Sequence, residues 1–503
     1  MHEIELKLQV PAARRTEVEA AVAGRTPGPW MRLQAAYHDT ADRRLAAAGL
    51  ALRMRREGRR WVQTLKGAAD DGLTRLEHNV ARGAAAAMPA LDPALHAATP
   101  VGERLLALLA APPAAPLLPL YRTDIRRRTR VLPVRADGQP SARVELAFDR
   151  GRIETGTRGI DVSELEIELV SGPPRAVIET ARRWVARHGL WLDGRSKAER
   201  GDLLARGESV APPRAAQALR LAGSMNMASA WQAVLRNCAD QILANASQIA
   251  SGAHAAEHVH QLRIGLRRLR SALALFDTGA PDTTLGSGAG ALFRRLGAAR
   301  DRVVIEAEFG AELRAAMRAA GVPAEAPALD ASGTEASPVE LLRSHAGQTL
   351  LLDLIAAMHG DAEPADGPDE ASLRDRLAAR LNRWHRQVVA DAKRYAALDD
   401  ASRHRLRKRA KRLRYATEFC TGLFERRAVR RYLKALRGLQ DALGAVSDAT
   451  MAMQAYALRA GDDPAAMFAL GWLTARREAL IAAAGPPIER FAKAERCWKR
   501  TRG

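Results

Sequence analysis

The first half of the chain alternates apolar with charged residues at a period of two. At its start, Glu3, Glu5 and Lys7 alternate with aliphatic residues up to Val10. Side chains of a strand point alternately to its two faces, so this segment predicts a strand with one apolar and one ionic face. Two carboxylates about 7 Å apart, with an ammonium beside them, suit a divalent cation and a phosphate chain better than bare water.

The same alternation returns in five later segments, which predicts a sheet. A single strand of this kind usually belongs to an open sheet whose ionic face meets water. Repetition with both signs of charge instead favours a closed antiparallel barrel lined by mixed charge, with helices such as residues 174–188 packed outside. The five segments cover residues 52–55, 61–66, 75–77, 143–149 and 164–169.

The second half of the chain changes period. From Trp231 onward apolar residues recur every three or four positions, which predicts helices. Residues 206–223 are rich in Pro, Ala, Gly and Ser and predict a linker. Segments rich in Pro, Gly and acidic residues predict loops between helices at residues 321–338 and 360–371.

An internal repeat divides this helical half. Residues 260–270 align with residues 404–414, and a second matching pair follows at residues 296–301 and 443–448. Duplication of this kind predicts two equivalent helical bundles, so the second domain is predicted to be all-α.

Each copy of the repeat carries a basic ridge beside its apolar stripe. Residues three and four apart share a helix face, and a solvated surface is the usual place for such charges. Two matching ridges favour a joint basic groove, because clustered cations repel one another unless a polyanion binds there. The ridge residues are His260, Arg263, Arg267 and Arg270 in the first copy and His404, Arg407, Lys411 and Arg414 in the second.

Composition agrees with a polyanionic partner but does not identify one. The 503 residues carry a formal charge of +21, which favours nucleic acid, phosphate polymers or anionic lipid as partners. Arginine and alanine are so abundant that the placement of charge is more informative than its total. The length allows two or three domains, and we predict two, at residues 1–205 and 224–503.

Cysteine usage and the N-terminus indicate a reducing compartment. The three cysteines, Cys238, Cys420 and Cys497, have no paired spacing, so neither a disulfide framework nor a thiolate zinc site is predicted. The chain opens on a strand pattern rather than a basic and then apolar leader. Prolines interrupt the apolar run at residues 105–121, so no membrane span is predicted. We expect a cytoplasmic protein.

Lysine is rare in the first half, and its placement is informative. In roughly the first 390 residues it occurs only as Lys7, Lys66 and Lys197. An ammonium is a compact point charge, unlike the planar guanidinium. All three lie in or beside segments with ionic alternation, which indicates a specific task.

Residues 1–205 resemble the CYTH domain of the triphosphate tunnel metalloenzyme superfamily. The opening ExExK motif is weak by itself, but the eight motifs that follow it in the family's order are specific. In this chain the motifs are Glu3-x-Glu5-x-Lys7, Tyr37-His38-Asp39-Thr40, Arg53 with Arg55, Thr64-Leu65-Lys66, Arg75 with Glu77, residues 123–127, residues 145–149, Glu164 with Glu166 and Glu168, and residues 196–201.

The resemblance implies an α+β domain with an eight-stranded antiparallel tunnel. In it, cations and a divalent metal, Mg²⁺ or Mn²⁺, hold a linear triphosphate while water attacks the terminal phosphorus. Phosphoryl transfer needs mainly in-line positioning and neutralisation of charge. Carboxylates repel phosphate, so the predicted metal ligands are acidic, namely Glu3, Glu5, Glu166 and Glu168. The cations predicted to act on the triphosphate are Lys7, Arg53, Arg55, Lys66, Arg75, Arg127 and Lys197.

Three further carboxylates of the tunnel have two open roles. Glu77, Glu145 or Asp149 is predicted to orient or deprotonate the attacking water. For Glu145 and Asp149, the alternative is that they are structural partners of the tunnel arginines.

Residues from about 225 to the C-terminus resemble the CHAD domain, a paired helical module that binds inorganic polyphosphate. The resemblance rests on both repeat copies and on residues 415–419 and 439–448. Where the family has RDxDV, this chain has Arg300-Asp301-Arg302-Val303-Val304 and loses the second Asp. A structural cap is the expected role of that Asp, so its loss bears on local stability more than on binding.

Together the two resemblances imply metal-dependent hydrolysis of inorganic triphosphate to diphosphate and phosphate, with the helical half binding inorganic polyphosphate. A non-catalytic protein of polyphosphate granules, and a hydrolase of an organic triphosphate such as thiamine triphosphate, are the alternatives. Nucleic-acid binding fits less well, because only 4% of residues are aromatic and the basic ridges lack interleaved aromatics. The sequence leaves the substrate, the preferred metal and the oligomeric state open.

Overall fold

A computed structural model describes most of the chain. Its described residues are 2–68, 75–113, 115–135, 142–276, 284–297, 305–322, 336–359, 372–461 and 463–499. The chain divides into two compact units. The first comprises residues 1–215, 240–262 and 338–360, and the second comprises residues 216–239, 263–337 and 361–503. The boundaries predicted at residues 205 and 224 stay predictions, although residues 208–226 form neither helix nor strand.

The first unit is built on one antiparallel sheet. Its strands are β1 (His2–Glu3), β2 (Glu5–Gln9), β3 (Met31–Asp39), β4 (Leu50–Glu57), β5 (Arg60–Ala68), β6 (Arg75–Ala84), β7 (Leu118–Val134), β8 (Ala142–Thr155), β9 (Arg158–Ser171) and β10 (Trp191–Leu192). Neighbours in the sheet follow the order β1, β6, β5, β4, β3, β7, β8, β9, β2, β10. All five segments with ionic alternation lie in these strands.

The first segment of the chain closes this sheet into a tunnel. β1 pairs with β6 and β2 pairs with β9, and Ile4 alone separates β1 from β2. The Ile4 carbonyl accepts a hydrogen bond of 3.0 Å from the backbone N–H of Leu169, which keeps the interrupted strand joined to β9. With β1 and β2 counted as one interrupted strand, β1 to β9 form a closed cylinder of eight strands, which confirms the predicted tunnel.

Strand register places the ionic residues on the inner face. Lys7 lies opposite Glu166, and Lys66 lies opposite Glu77. Because side chains alternate, the apolar residues between them point outward, where Leu8 and Leu65 are fully buried. The sequence alternation therefore marks the inside and outside of the cylinder.

Helices of the chain follow the sequence periodicity. They are α1 (Arg15–Ala23), α2 (Arg44–Ala47), α3 (Pro100–Ala110), α4 (Arg175–His188), α5 (Lys197–Arg206), α6 (Met227–Ala250), α7 (Ala256–Phe276), α8 (Thr284–Arg295), α9 (Ala311–Ala319), α10 (Pro338–Arg343), α11 (His345–His359), α12 (Leu373–Lys393), α13 (Asp400–Phe419), α14 (Arg426–Ala457), α15 (Pro464–Ala483) and α16 (Gly485–Ala492). None of the helices in the described residues combines the length and hydropathy of a bilayer-spanning segment.

Helices cover the outer, apolar face of the tunnel. α1 packs against β7 and β8, and α4 packs against β2, β8 and β9. α4 confirms the helix predicted at residues 174–188. On another side, α2 and α3 bury a cluster that contains Leu45, Leu52 and Leu105. Burial of apolar surface contributes about 25 cal/mol per Å², so this outer layer stabilises the unit.

The two repeat copies lie on α7 and α13, and both form a buried apolar stripe. Leu266 and Leu269 of the first copy and Leu406 and Leu413 of the second are fully buried. These helices confirm an all-α second domain built on a duplicated element. Residues Arg300 and Asp301, which belong to the second pair of matching segments, lie outside the described residues, as does the whole loop predicted at 360–371.

Candidate functional site

The tunnel of the first unit contains a cavity of about 440 Å³. Cations and carboxylates predicted from the sequence line it together with a few apolar residues. Six of the predicted cations and three of the predicted carboxylates contribute to its wall. They are Lys7, Arg53, Arg55, Lys66, Arg127, Lys197, Glu5, Asp149 and Glu166.

Among the predicted tunnel residues with described side chains, Glu77, Glu145 and Glu168 do not line this cavity. Glu77 forms an ion pair with Lys66 and another, at 4.0 Å, with Arg53. Glu145 and Glu168 lie opposite each other on β8 and β9, on the face that carries Asp149 and Glu166. Glu3 and Arg75 are partners in the strand register, and their side chains lie outside the described residues.

The Lys197 ammonium sits among three carboxylates. Its Nζ is 2.6 Å from Asp149 and 2.9 Å from Glu166, and it also contacts Glu164. The capping box that begins α5, in which Ser196 and Glu199 bond each other's backbone N–H, places Lys197 in the first turn. Burial lowers the pKa of Lys197, but the three carboxylates outweigh it and leave the pKa raised, so the residue is a fixed cation.

Two arginines complete this cluster. Arg127 donates to both oxygens of Asp149, at 2.7 and 2.6 Å, and to Glu166 at 2.5 Å. Arg200 donates to Glu164, which is fully buried. Burial raises the pKa of Glu166, but Arg127 and Lys197 hold it well below the usual range. Three carboxylates and three cations thus form one buried, charge-balanced network.

The metal ligands predicted from the sequence do not converge as one group. Asp149, Glu164 and Glu166 are the acidic residues whose oxygens lie within 4.8 Å of one another in the described part of the chain. Lysine and arginine already engage these oxygens, and a divalent ion there would repel the Lys197 ammonium. This group therefore fits a metal poorly in the arrangement observed.

A second acidic row fits a hard cation better. Glu5, Glu168 and Glu145 are successive register partners on β2, β9 and β8, on the inner face. Carboxylate oxygens are the donors that Mg²⁺ and Mn²⁺ prefer. Glu5 also contacts the Lys7 ammonium. Two predicted ligands, Glu5 and Glu168, belong to this row, whereas Glu166 belongs to the Lys197 network.

Sequence reasoning missed three residues of the tunnel. Glu164, Arg200 and Tyr37 each lie in a motif of the resemblance, but no role was predicted for them. Tyr37 is buried, stacks on Tyr121 with ring centroids 4.8 Å apart, and accepts a hydrogen bond of 3.1 Å from Arg53. Burial raises the pKa of Tyr37, but Arg53, Lys197 and Lys66 lower it overall. Tyr37 lies opposite Arg53 in the register of β3 and β4. The alternation along β3 was therefore the sequence signal that could have placed Tyr37 on the same face as the cations.

The second unit brings the two basic ridges together. Arg263 and Arg267 of α7 both lie over the Phe293 ring, with guanidinium carbons 4.8 and 5.0 Å from its centroid. Arg267 acts electrostatically on Lys411 of α13. We call Arg267, Arg407, Lys411 and Arg414 the basic groove.

Lys411 lies in a strongly cationic environment. Burial, followed by Arg267 and Arg407, lowers its pKa to about 6, and the carboxylate of Asp448 opposes this only in part. Asp448 itself accepts a hydrogen bond of 3.1 Å from Arg407. Burial and the neighbouring Lys408, Arg407 and Lys411 also lower the pKa of His404. The groove therefore holds more positive charge than its own carboxylate neutralises.

The other predicted ridge residues differ in their surroundings. Arg263 is buried and donates to the Leu296 carbonyl at 2.9 Å, so it is partly structural. Arg270 is exposed, and Arg414 donates to Glu418 at 2.9 Å. His260 lies on the part of α7 that belongs to the first unit.

Comparison with known proteins finds both domain families that the sequence resembles. A family model described as CYTH domain matches residues 1–201, and one described as CHAD domain matches residues 233–457. An inorganic triphosphatase of Haemophilus influenzae is 28% identical over 211 residues, which are 41% of this chain and 55% of that protein. The chain thus spans about half the length of this curated relative.

Solved structures were also found. The crystal structure of the CHAD domain from the plant Ricinus communis is 31% identical, covers 57% of this chain and 98% of its own, and has a TM-score of 0.46. A putative adenylyl cyclase from Hippeastrum with a dominant triphosphatase activity is 18% identical, covers 41% and 97%, and has a TM-score of 0.28. This chain therefore carries an N-terminal CYTH domain at residues 1–201 and a CHAD domain at residues 233–457.

Proposed function

We propose that the tunnel hydrolyses inorganic triphosphate to diphosphate and phosphate. The observation that carries this proposal is the convergence of six cations and three carboxylates around one cavity of about 440 Å³. A linear triphosphate carries several negative charges and no apolar surface. A narrow, cationic tunnel neutralises such a ligand along its length, which is most of what phosphoryl transfer requires.

The residues of the tunnel divide the work between them. Arg53, Arg55 and Lys66 lie on neighbouring strands and would bind the non-bridging oxygens of the phosphate chain. Glu5 and Glu168, with Glu145 beside them, would hold Mg²⁺ or Mn²⁺. A metal bound there would stabilise the negative charge that develops on the phosphate oxygens.

Of the three carboxylates proposed to orient water, Glu145 is the one whose oxygens have the fewest competing ion pairs in the described part of the chain. Asp149 is saturated by Arg127 and Lys197, as described above. Burial raises the pKa of Glu77, but Lys66 and Arg53 lower it to about 2, so Glu77 is a weak base. Within the described residues no ion pair occupies Glu145, so its oxygens can accept a proton or hold a water. Asp149 and Glu77 then act as structural partners of the cations.

The basic groove is proposed to bind inorganic polyphosphate. Its cations come from both repeat copies and repel one another, so a polyanion gains energy by relieving that repulsion. Tethering to polyphosphate would raise the local concentration of phosphate chains near the tunnel. Association with polyphosphate granules follows from the same binding.

A substrate panel tests the proposed activity. Inorganic triphosphate, thiamine triphosphate, ATP and short polyphosphate are each incubated with the purified full chain and with Mg²⁺, Mn²⁺ or a chelator, and released phosphate is measured. The proposal expects metal-dependent release that is fastest from inorganic triphosphate. Faster release from thiamine triphosphate would assign an organic substrate, and no release from any compound would favour a purely binding protein.

Replacing Arg267 and Lys411 together with Ala is expected to weaken polyphosphate retention by roughly tenfold or more and to leave triphosphate turnover intact. Two charge-assisted contacts are lost from the groove, whereas the tunnel is untouched. Retention is measured on immobilised polyphosphate over a series of salt concentrations. The double substitution Arg490→Ala and Lys493→Ala removes the same two residue types from the exposed last turn of α16 and its C-cap, and is the control. Equal salt curves for the two variants would rule out the groove.

Polyphosphate affinity is expected to rise as pH falls from about 8 to about 6, by up to about tenfold per pH unit. The free protein holds the pKa of Lys411 at about 6, so the side chain is largely neutral at pH 8. A bound polyanion raises that pKa, and binding therefore takes up a proton. Lys411→Arg fixes the charge and should flatten the slope, while His404→Gln measures the contribution of the neighbouring imidazole. A slope that Lys411→Arg leaves unchanged would contradict this assignment.

A further inference from the structure

A second cavity lies on the outside of the tunnel, separate from the site described above. Its volume is about 670 Å³, within the range of about 300–1,000 Å³ usual for small-molecule sites. The end of α1, the outer face of β7 and the last turns of α4 form its walls. We call it the outer arginine pocket. The residues that matter to its chemistry are Arg25, Arg130, Arg183, Trp184, Arg187 and His188.

Four guanidinium groups surround this pocket with little opposing charge. In the described part of the chain, no carboxylate forms an ion pair with Arg25, Arg130 or Arg187, and Arg183 meets Glu179 only at 4.0 Å. By contrast, Arg150 on the neighbouring strand β8 pairs with Glu19 at 3.2 Å. Among the residues that the structure describes, the guanidinium groups of the pocket are therefore not neutralised by close carboxylates.

The turn after α1 lies directly against one of these arginines. Gly24 follows α1 with φ +61°, a conformation that favours glycine. A Cβ at this position would lie 1.9 Å from Nη1 of Arg130, so the exposed Arg130 side chain ends against this turn. Gly24 and Arg130 both line the pocket.

An aromatic wall completes the pocket. The half-buried Trp184 lies beside His188, with ring centroids 4.9 Å apart. His188 is 2% exposed and its Nδ1 lies 2.8 Å from Glu17, which fixes the orientation of the imidazole. The field at the end of α4 favours nearby cations and accounts for Arg187. It does not account for four arginines arranged around an indole.

From this arrangement we infer that the outer arginine pocket binds a nucleoside triphosphate. The guanidinium groups match the phosphate chain in charge and in bidentate geometry. The indole face of Trp184 offers a stacking surface for the base. α4 also packs on β2 and β9, whose inner faces carry Lys7 and Glu166, so the pocket adjoins the wall of the tunnel.

Trp184 provides a readout specific to this pocket. ATP, inorganic triphosphate and adenosine are titrated into the full chain, and tryptophan quenching is compared with that of Trp184→Phe, so that the difference reports this one of the eight tryptophans. The inference expects ATP to quench Trp184 and to bind more tightly than the other two compounds. Inorganic triphosphate that binds as tightly as ATP would overturn it, because the base would then contribute nothing.

A charge-matched pair of variants completes the test. Arg130→Gln with Arg187→Gln should weaken the ATP-dependent quenching by roughly tenfold or more and leave triphosphate hydrolysis unchanged. Arg32→Gln with Arg152→Gln removes two exposed arginines elsewhere on the same unit and should change neither. Thermal unfolding checks that each variant folds, and Arg187→Gln alone is measured if the double variant does not. Unchanged quenching in a folded pocket variant would overturn the inference.

Discussion

Replacing Arg55 with Ala is expected to lower phosphate release from inorganic triphosphate by about 10²–10³-fold. Arg55 lines the tunnel cavity, and its side chain is 20% exposed. Burial and the neighbouring Arg53 lower its pKa, and a phosphate chain placed between the two guanidinium groups would relieve that repulsion. The measurement is the rate of phosphate release at saturating triphosphate and metal, together with KM.

The adjacent Arg56 is the control for this substitution. It points to the other side of β4, where its guanidinium lies 5.8 Å from the Trp61 ring and donates to the Gly58 carbonyl. Arg56→Ala removes the same chemical group one position away, so turnover should stay within a few-fold of the parent. Similar losses in both variants would mean that the charge of β4 acts through folding and not through the tunnel.

Replacing Glu164 with Ala is expected to lower the free energy of unfolding of the first unit by about 3–5 kcal/mol. Glu164 is fully buried and contacts both Lys197 and Arg200, so its loss leaves two buried cations with too few partners. Burial raises the pKa of Glu164, but Lys197 and Arg200 lower it overall. The stabilisation is therefore present above the ordinary pKa of Glu and is lost as pH falls below it. Denaturant unfolding at pH 7 and at pH 4 measures both effects.

Glu154 is the matched control for Glu164. It lies on the neighbouring strand β8, and its partner Arg152 is 3.5 Å away, with both side chains more than half exposed. Exposed ion pairs of this kind are worth about 0–1 kcal/mol, so Glu154→Ala should change stability little at either pH. If Glu164→Ala were as mild as Glu154→Ala, the buried network would not stabilise the unit.

The sequence alternation predicted much of the tunnel because strand geometry is simple. Because side chains alternate with a period of two, a register shift of one residue would turn every cation of a strand outward. The alternation in the sequence therefore determines which face of each strand lines the tunnel. The cations Lys66 and Arg127 therefore lie inside, as expected. Helical periodicity predicted α4, α7 and α13 because apolar residues three and four positions apart lie on one face of a helix.

Pairing inside the tunnel could not be predicted in the same way. Alternation says that Glu164, Glu166 and Glu168 share a face, but not which of them meets a cation. That choice depends on α5, which brings Lys197 and Arg200 to the cylinder from a distant part of the chain. The interruption of the first strand at Ile4 also lacks a local signal, because the closure it permits depends on β6 and β9.

In the helical unit, the burial and contacts of the ridge residues depend on tertiary packing, which the sequence repeat does not predict. The two ridges look equivalent in sequence, yet Arg263 is buried whereas its counterpart Arg407 is only half-buried. Likewise Arg270 is exposed, whereas its counterpart Arg414 is half-buried. Arg268 and Arg412 occupy the same position in the two copies and do behave alike. Arg268 lies over the Phe419 ring, and Arg412 lies over the Trp384 ring. The lowered pKa of Lys411 depends on Arg267 from the other copy, which no local pattern contains.

A crystal structure with the non-hydrolysable imido analogue of triphosphate and Mn²⁺ would test the tunnel most directly. We expect the analogue inside the cavity, in contact with Arg53, Arg55 and Lys66, and anomalous density for Mn²⁺ beside Glu5 and Glu168. The Lys197 network should stay intact. Analogue bound only outside the cylinder, or Mn²⁺ in place of the Lys197 ammonium, would contradict the proposed site.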